Sequence, residues 1–185
     1  MKLLKIAALV AAMGAVGAQA AIPVGYANVT STGGIVNNIE FAADGDFPDL
    51  WQDWTTETAW WFGTAPSVVF QFDRPYQITG FEASLDNNDD YVIELSPDGT
   101  EWTRYYTVFL EDGTVGEGMD RFKPAVTGVT DFFSYARVRA RAGDNSYSVG
   151  ELQFSGVAAV PEPETLALML GGIAALGLKL RRRAG

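Results

Sequence analysis

The sequence predicts an all-β body, a β-sandwich, set between two apolar ends of a different character. Three observations carry this expectation. Between about residues 21 and 156, short runs of alternating apolar and polar residues recur between turn signals. No stretch of that region keeps a helical period. The two ends are instead unbroken apolar segments with basic flanks, which read as addresses rather than as parts of a core.

The N-terminal end reads as a signal peptide over residues 1–20. Lys2 and Lys5 give a positive start, Ile6 to Val16 an apolar stretch, and Ala18-Gln19-Ala20 a small-residue cleavage site around Ala18 and Ala20. The mature chain is expected to begin at Ala21 and to be exported through the Sec machinery.

Ser67 to Phe72 (SVVFQF) puts Val68, Phe70 and Phe72 on one face, and Pro75 is expected to end that strand. Ile78 to Leu85 follows with Phe81, Ala83 and Leu85 on a common side. Asp86-Asn87-Asn88-Asp89-Asp90 is charged and turn-prone, and reads as a loop. Tyr91 to Ser96 alternates again. Pro97-Asp98-Gly99-Thr100 supplies a tight turn into a partner strand from Trp102 to Leu110. Gly113 to Met119 is a glycine-rich loop. Tyr135 to Ala142 sets Ala136, Val138 and Ala140 against Arg137, Arg139 and Arg141, and Tyr147 to Phe154 closes the body. Residues 157–160 read as a linker.

Composition excludes much chemistry. The chain has no cysteine and no histidine, so it has no disulfide framework, no thiol nucleophile, no histidine-based triad and no usual zinc site. Leaving out the two ends removes two acids and six bases, so the body carries 21 acidic against 7 basic residues. Such a surface repels nucleic acid and anionic membranes, and it suits cations.

The tail, residues 161–185, has a Pro161-Glu162-Pro163 signature, an uncharged run from Thr165 to Leu178, and a basic end at Arg181, Arg182 and Arg183. The prolines stop any strand or helix entering from the body. The sixteen residues from Thr165 to Leu180 would make a helix of roughly 24 Å, a short transmembrane span with the arginines at the cytoplasmic face. These features closely resemble the PEP-CTERM sorting tail of Gram-negative bacteria. The resemblance implies an exosortase-type membrane protease as partner, and passage from an inner-membrane precursor to the envelope, outer surface or extracellular matrix.

A second resemblance covers about residues 40–156. Ala43-Asp44-Gly45-Asp46, the tryptophans after it, Val69 to Asp73, Ile78-Thr79-Gly80, the run from Tyr91 to Trp102, Ala136 to Arg139 and Gly150 to Phe154 look like a discoidin-type, galactose-binding-like jelly roll. Asp49 stands where that family often has threonine, and the family's frequent paired cysteines are missing.

Three candidate sites follow. The loop Asp44-Gly45-Asp46-Phe47-Pro48-Asp49 crowds three carboxylates, and hard oxygen donors on a glycine-bearing loop suit Ca²⁺. The family resemblance adds Glu151 of the last strand and implies a structural ion held by Asp44, Asp46, Asp49 and Glu151; a solvated acidic turn is the alternative. The aromatic group Trp51, Trp54, Trp60, Trp61 and Phe62 suits a sugar-stacking surface. If that segment is extended, Trp60 and Trp61 point to opposite faces, so one of them is expected in the core, leaving Trp51 and Trp54 as the platform. The arginines of residues 137–141 lie on one face roughly 6.8 Å apart. They are expected in cross-strand ion pairs, with Arg139 as a candidate contact for an anionic sugar. The function expected is a non-enzymatic, exported protein that binds glycan or extracellular polysaccharide. A structural matrix protein and a two-carboxylate glycosidase are the alternatives.

Overall fold

The computed structural model describes residues 20–159. The expected signal peptide, apart from Ala20, and the sorting tail lie outside the described residues. Nine strands follow in chain order: β1 (Ile22–Pro23), β2 (Tyr26–Thr32), β3 (Ala59–Phe62), β4 (Ser67–Asp86), β5 (Asp90–Ser96), β6 (Thr103–Val108), β7 (Met119–Phe122), β8 (Phe133–Ala142) and β9 (Ser146–Ala158). Two short 3₁₀ turns, Ile39–Ala43 and Leu110–Asp112, complete the regular structure. Every strand pairing is antiparallel.

Strand β4 runs through both layers of the sandwich. Its first part, to Phe72, pairs with β2 on one side and β8 on the other, and β8 continues to β5 and β6. Its second part, from Tyr76, pairs with β9 and then β7, while β1 and β3 flank the far edge of β9. Pro75 therefore does not end the strand, as the sequence suggests. It sits where β4 passes between layers, with Asp73, Arg74 and Pro75 exposed and outside the ladder, so its missing N–H costs no sheet bond. A register shift between Ile78 and Gly80 then changes which parity points inward. Val68, Phe70, Phe72 and Ile78 face the core before it, and Phe81, Ala83 and Leu85 after it.

One continuous core joins the layers. Phe72 meets Phe154 at 5.7 Å between ring centroids, Phe81 meets Tyr106 at 5.4 Å, and Trp61 meets Tyr91 at 6.4 Å, all edge to face. Ala136, Val138 and Ala140 are buried, as their alternation predicts. Strand β5 departs from the expected one-sided pattern, because Val92, Glu94 and Ser96 are buried as well. Strand β9 continues through Val157 and Ala158, two residues into the expected linker, where Tyr76 pairs with Ala158.

Candidate functional site

Trp51 is the most exposed tryptophan of the group, at 65%, and it adopts φ +70°, a left-handed backbone that costs a bulky residue of order 1–3 kcal/mol. Neighbouring backbone holds it there. The Trp51 N–H donates to the Met119 carbonyl at 3.0 Å, and the Met119 N–H returns a bond to Gln52 at 3.0 Å. Gly118 makes that approach possible, since a Cβ at its position would stand 2.6 Å from the Gln52 oxygen. Trp54, Trp60 and Phe62 form a separate partly exposed cluster with ring centroids 5.6–6.1 Å apart. Trp61 is fully buried, which resolves the Trp60-Trp61 pair as alternation requires.

Trp51 and Trp54 stand over an open cleft of ≈ 640 Å³ whose other walls include Asp53, Asp86, Asn88, Glu117 and Asp144. The β4–β5 turn supplies its floor. Asp86 and Asp89 are each only 2% exposed, although the sequence reads that turn as a charged loop. Burial pushes the Asp86 carboxyl up to about 6, and the charges of Asp144 and Asp53 add to the rise. Burial likewise pushes Asp89 up to about 7 against a bond from the Asp144 N–H, with Asp86 and Asp144 adding repulsion. Asn88 Nδ2 donates to Asp144 Oδ2 at 3.1 Å, and its own buried Oδ1 has no partner. Asp53 is tied by the Thr55 backbone and hydroxyl, which hold its carboxyl below the usual range. None of Asp53, Asp86, Asn88 and Asp144 was singled out by the sequence reading. A five-residue acidic turn gives no sign that two of its carboxyls face inward.

The acidic loop at residues 44–49 lies beside β9. The Gly45 N–H donates to Glu151 Oε2 at 3.1 Å, so Glu151 is brought beneath this loop. Burial pushes Glu151 up to about 7; the Gly45 and Gln153 bonds pull it down, and the Asp44 charge pushes it up again. A carboxyl that is 1% exposed and has no cationic side chain paired with it is the feature that fits a cation here. Asp44 fits as a second donor, although its Oδ1 already accepts the Asp46 N–H at 3.0 Å. Among the described residues, however, no three acidic side chains gather into a ready cation cage. Asp44, Asp46 and Asp49 line an adjoining open pocket of ≈ 260 Å³.

Arg139 lies elsewhere. Its Nε donates to Glu94 Oε2 at 3.1 Å, beside Arg137 Nε at 2.6 Å on the same oxygen, so it is engaged on the face of β8 and does not line the cleft. Arg141 pairs with Asp90 at 2.8 Å.

With this geometry in view, comparison with known proteins identifies two features. The body has the fold of carbohydrate-binding-module family 32 domains. Residues 159–183 match the PEP-CTERM protein-sorting motif. Among solved structures, the body is similar to "CBM32 of AlyQ in complex with 4,5-unsaturated mannuronic acid", at 15% identity and TM-score 0.55, covering 72% of this chain and 97% of that one. It is also similar to truncated AlyQ with CBM32 and alginate lyase domains, at 13% identity and TM-score 0.56, covering 77% of this chain but only 35% of that one. An F5/8 type C domain from Bacteroides fragilis aligns at 16% identity and TM-score 0.47, over 74% of this chain and 98% of that domain. At such identities the likeness defines the fold. No curated protein matches the sequence.

Proposed function

We propose that this chain is an exported, surface-sorted glycan-binding protein that captures extracellular polysaccharide without cleaving it. The observation that carries the reading is Trp51, exposed and held in a left-handed backbone above an open polar cleft. A strained, solvent-facing aromatic contributes nothing to the core, whereas a flat ring beside hydrogen-bonding groups is what a sugar face requires. The sandwich fold, with carbohydrate-binding modules among its structural neighbours, supports the same reading. The sorting motif supports export through the Sec machinery, processing by an exosortase-type protease and residence in the envelope or matrix of a Gram-negative bacterium. The test is a glycan array probed with the full-length chain and with Trp51→Ala. Retention on some glycan class that the variant loses is the expected result. Equal retention by both proteins, or turnover of the captured glycan, overturns it.

A structural Ca²⁺ at the Asp44 loop belongs to the same proposal. Its support is the buried Glu151 carboxyl, which lies under the loop without a counter-charge. Asp44 and Glu151 are the residues that would hold the ion, with Asp46 and Asp49 contributing charge nearby. Bound there, it would stabilise the loop that leads into Trp51.

A further inference from the structure

Resting on the glycan-binding reading of the Trp51 cleft, we propose that its ligand is a cationic glycan, a hexosamine polymer whose amino groups are free. The argument is the mismatch between the cleft and the rest of the molecule. Asp53, Asp86, Glu117 and Asp144 line it, and no basic residue does. Asp86 is the telling member. It is nearly inaccessible yet lies in the cleft wall, pairs with no cation and accepts no side-chain hydrogen bond. Its charged neighbours are Asp144 and Asp53, both acids, and the one donor near it is the Asn87 backbone N–H.

The missing counter-charge is local. Arg74, Arg121, Lys123, Arg137, Arg139 and Arg141 are all engaged with carboxylates elsewhere on the body. Arg104, the remaining basic residue of the body, sits opposite Glu94 in the β5–β6 ladder. Among the described residues no basic side chain lines this cleft, so the cation that would neutralise it is assigned to the ligand.

The donor and acceptor inventory leads the same way. The carboxylates of Asp86 and Asp144 and the unpartnered Oδ1 of Asn88 are acceptors only, and one of the two Asn88 amide N–H donors is held by Asp144. A neutral sugar hydroxyl satisfies such groups one at a time. An ammonium brings three donors and the charge that the buried carboxylate lacks. A uronate ligand would add a fifth negative charge to a cleft that already repels its own acids. Trp51 supplies the apolar face on which the hexosamine ring would rest, and a cation near that ring gains further.

The experiment compares three tetramers by calorimetry on the full-length chain in mild detergent: fully deacetylated glucosamine, N-acetylglucosamine and mannuronate. The deacetylated tetramer is expected to bind, and the other two to bind at least about tenfold more weakly. Asp86→Asn and Trp51→Ala should each weaken it about tenfold or more, while Asp131→Asn, outside the cleft, should leave it unchanged. If the acetylated or uronate tetramer binds as tightly in a Trp51-dependent way, the glycan reading stands and the cationic assignment is overturned. Binding to none of the three overturns the cationic assignment, and if no glycan on an array is retained either, the glycan reading falls with it. An equal loss from Asp131→Asn would show general charge attraction, and a strict requirement for added Ca²⁺ would show an ion in the ammonium's place. Either result overturns the proposal.

Discussion

Two buried acidic regions, one on β5 and one at the β4–β5 turn that leads into it, are built in opposite ways. At the middle of β5, Glu94 is 7% exposed and receives Arg137 and Arg139 on one carboxylate oxygen. Burial works against its ionisation, yet the two guanidinium groups hold its carboxyl below the usual range. Trp102 stacks on Arg137 at 4.4 Å and completes that site. Just before β5, Asp86 at the end of β4 and Asp89 in the turn are buried more completely and paired with no cation. Burial pushes both up, although Asp89 accepts the Asp144 N–H and the Tyr91 hydroxyl. At Glu94 the protein supplies two cations. At Asp86 it supplies none, and that carboxylate lines the cleft under exposed Trp51. That contrast separates a structural charge from a functional one better than burial alone.

Breaking the paired region should have the largest effect. Replacing both Arg137 and Arg139 by alanine strands Glu94 and should cost about 3 kcal/mol or more in urea denaturation, with Glu94→Gln recovering much of it. A loss below about 1 kcal/mol would mean that the pair is ordinary surface.

The unpaired region should respond to pH in the reverse sense to a salt bridge. Asp86 and Asp89 have folded-state values raised to about 6 and about 7. The stability they confer is complete below about pH 4, where the unfolded chain also holds its protons, and it is lost as pH rises through 6 to 7. The melting temperature should therefore fall from pH 5 to pH 8, by the equivalent of about 2–3 kcal/mol. Asp86→Asn should flatten that fall and stabilise the protein at pH 8. A flat wild-type profile would show that these carboxyls are solvated in solution.

Calcium sharpens the comparison at a third acid. If Glu151 takes an ion, Ca²⁺ at about one hundred times its Kd should raise stability by about 2.7 kcal/mol, and Mg²⁺ should substitute poorly. Glu151→Gln should abolish the gain. Identical melting curves in Ca²⁺ and chelator would remove the ion from this account.

The smallest stability effect belongs to Trp51. Glycine there relieves the φ +70° backbone, so Trp51→Gly should be neutral or stabilising by up to about 1 kcal/mol while glycan retention disappears. A loss of several kcal/mol would return Trp51 to the core.

The sequence by itself determined the all-β class, the inward faces of β4 and β8, the outward arginines and the sorting tail. All of these depend on local period or on residue types whose chemistry is readable one at a time, whereas Glu151 against the Asp44 loop was implied only by the family resemblance. Tertiary structure alone decided that Pro75 lies between layers rather than at an end, because a missing N–H matters only where a ladder partner exists. It also decided that β2, β3 and β7 join the sheets; β7 follows a glycine-rich run whose composition reads as loop. Above all it decided which acids are functional candidates. Asp86 and Asp89 look in sequence like the most solvated residues of the chain, and they are buried because the Gly118 loop and the β8–β9 turn close over them. Burial and pairing are properties of neighbours distant in the chain, so no local reading of an Asp-Asn-Asn-Asp-Asp turn could separate a wet loop from a desolvated floor.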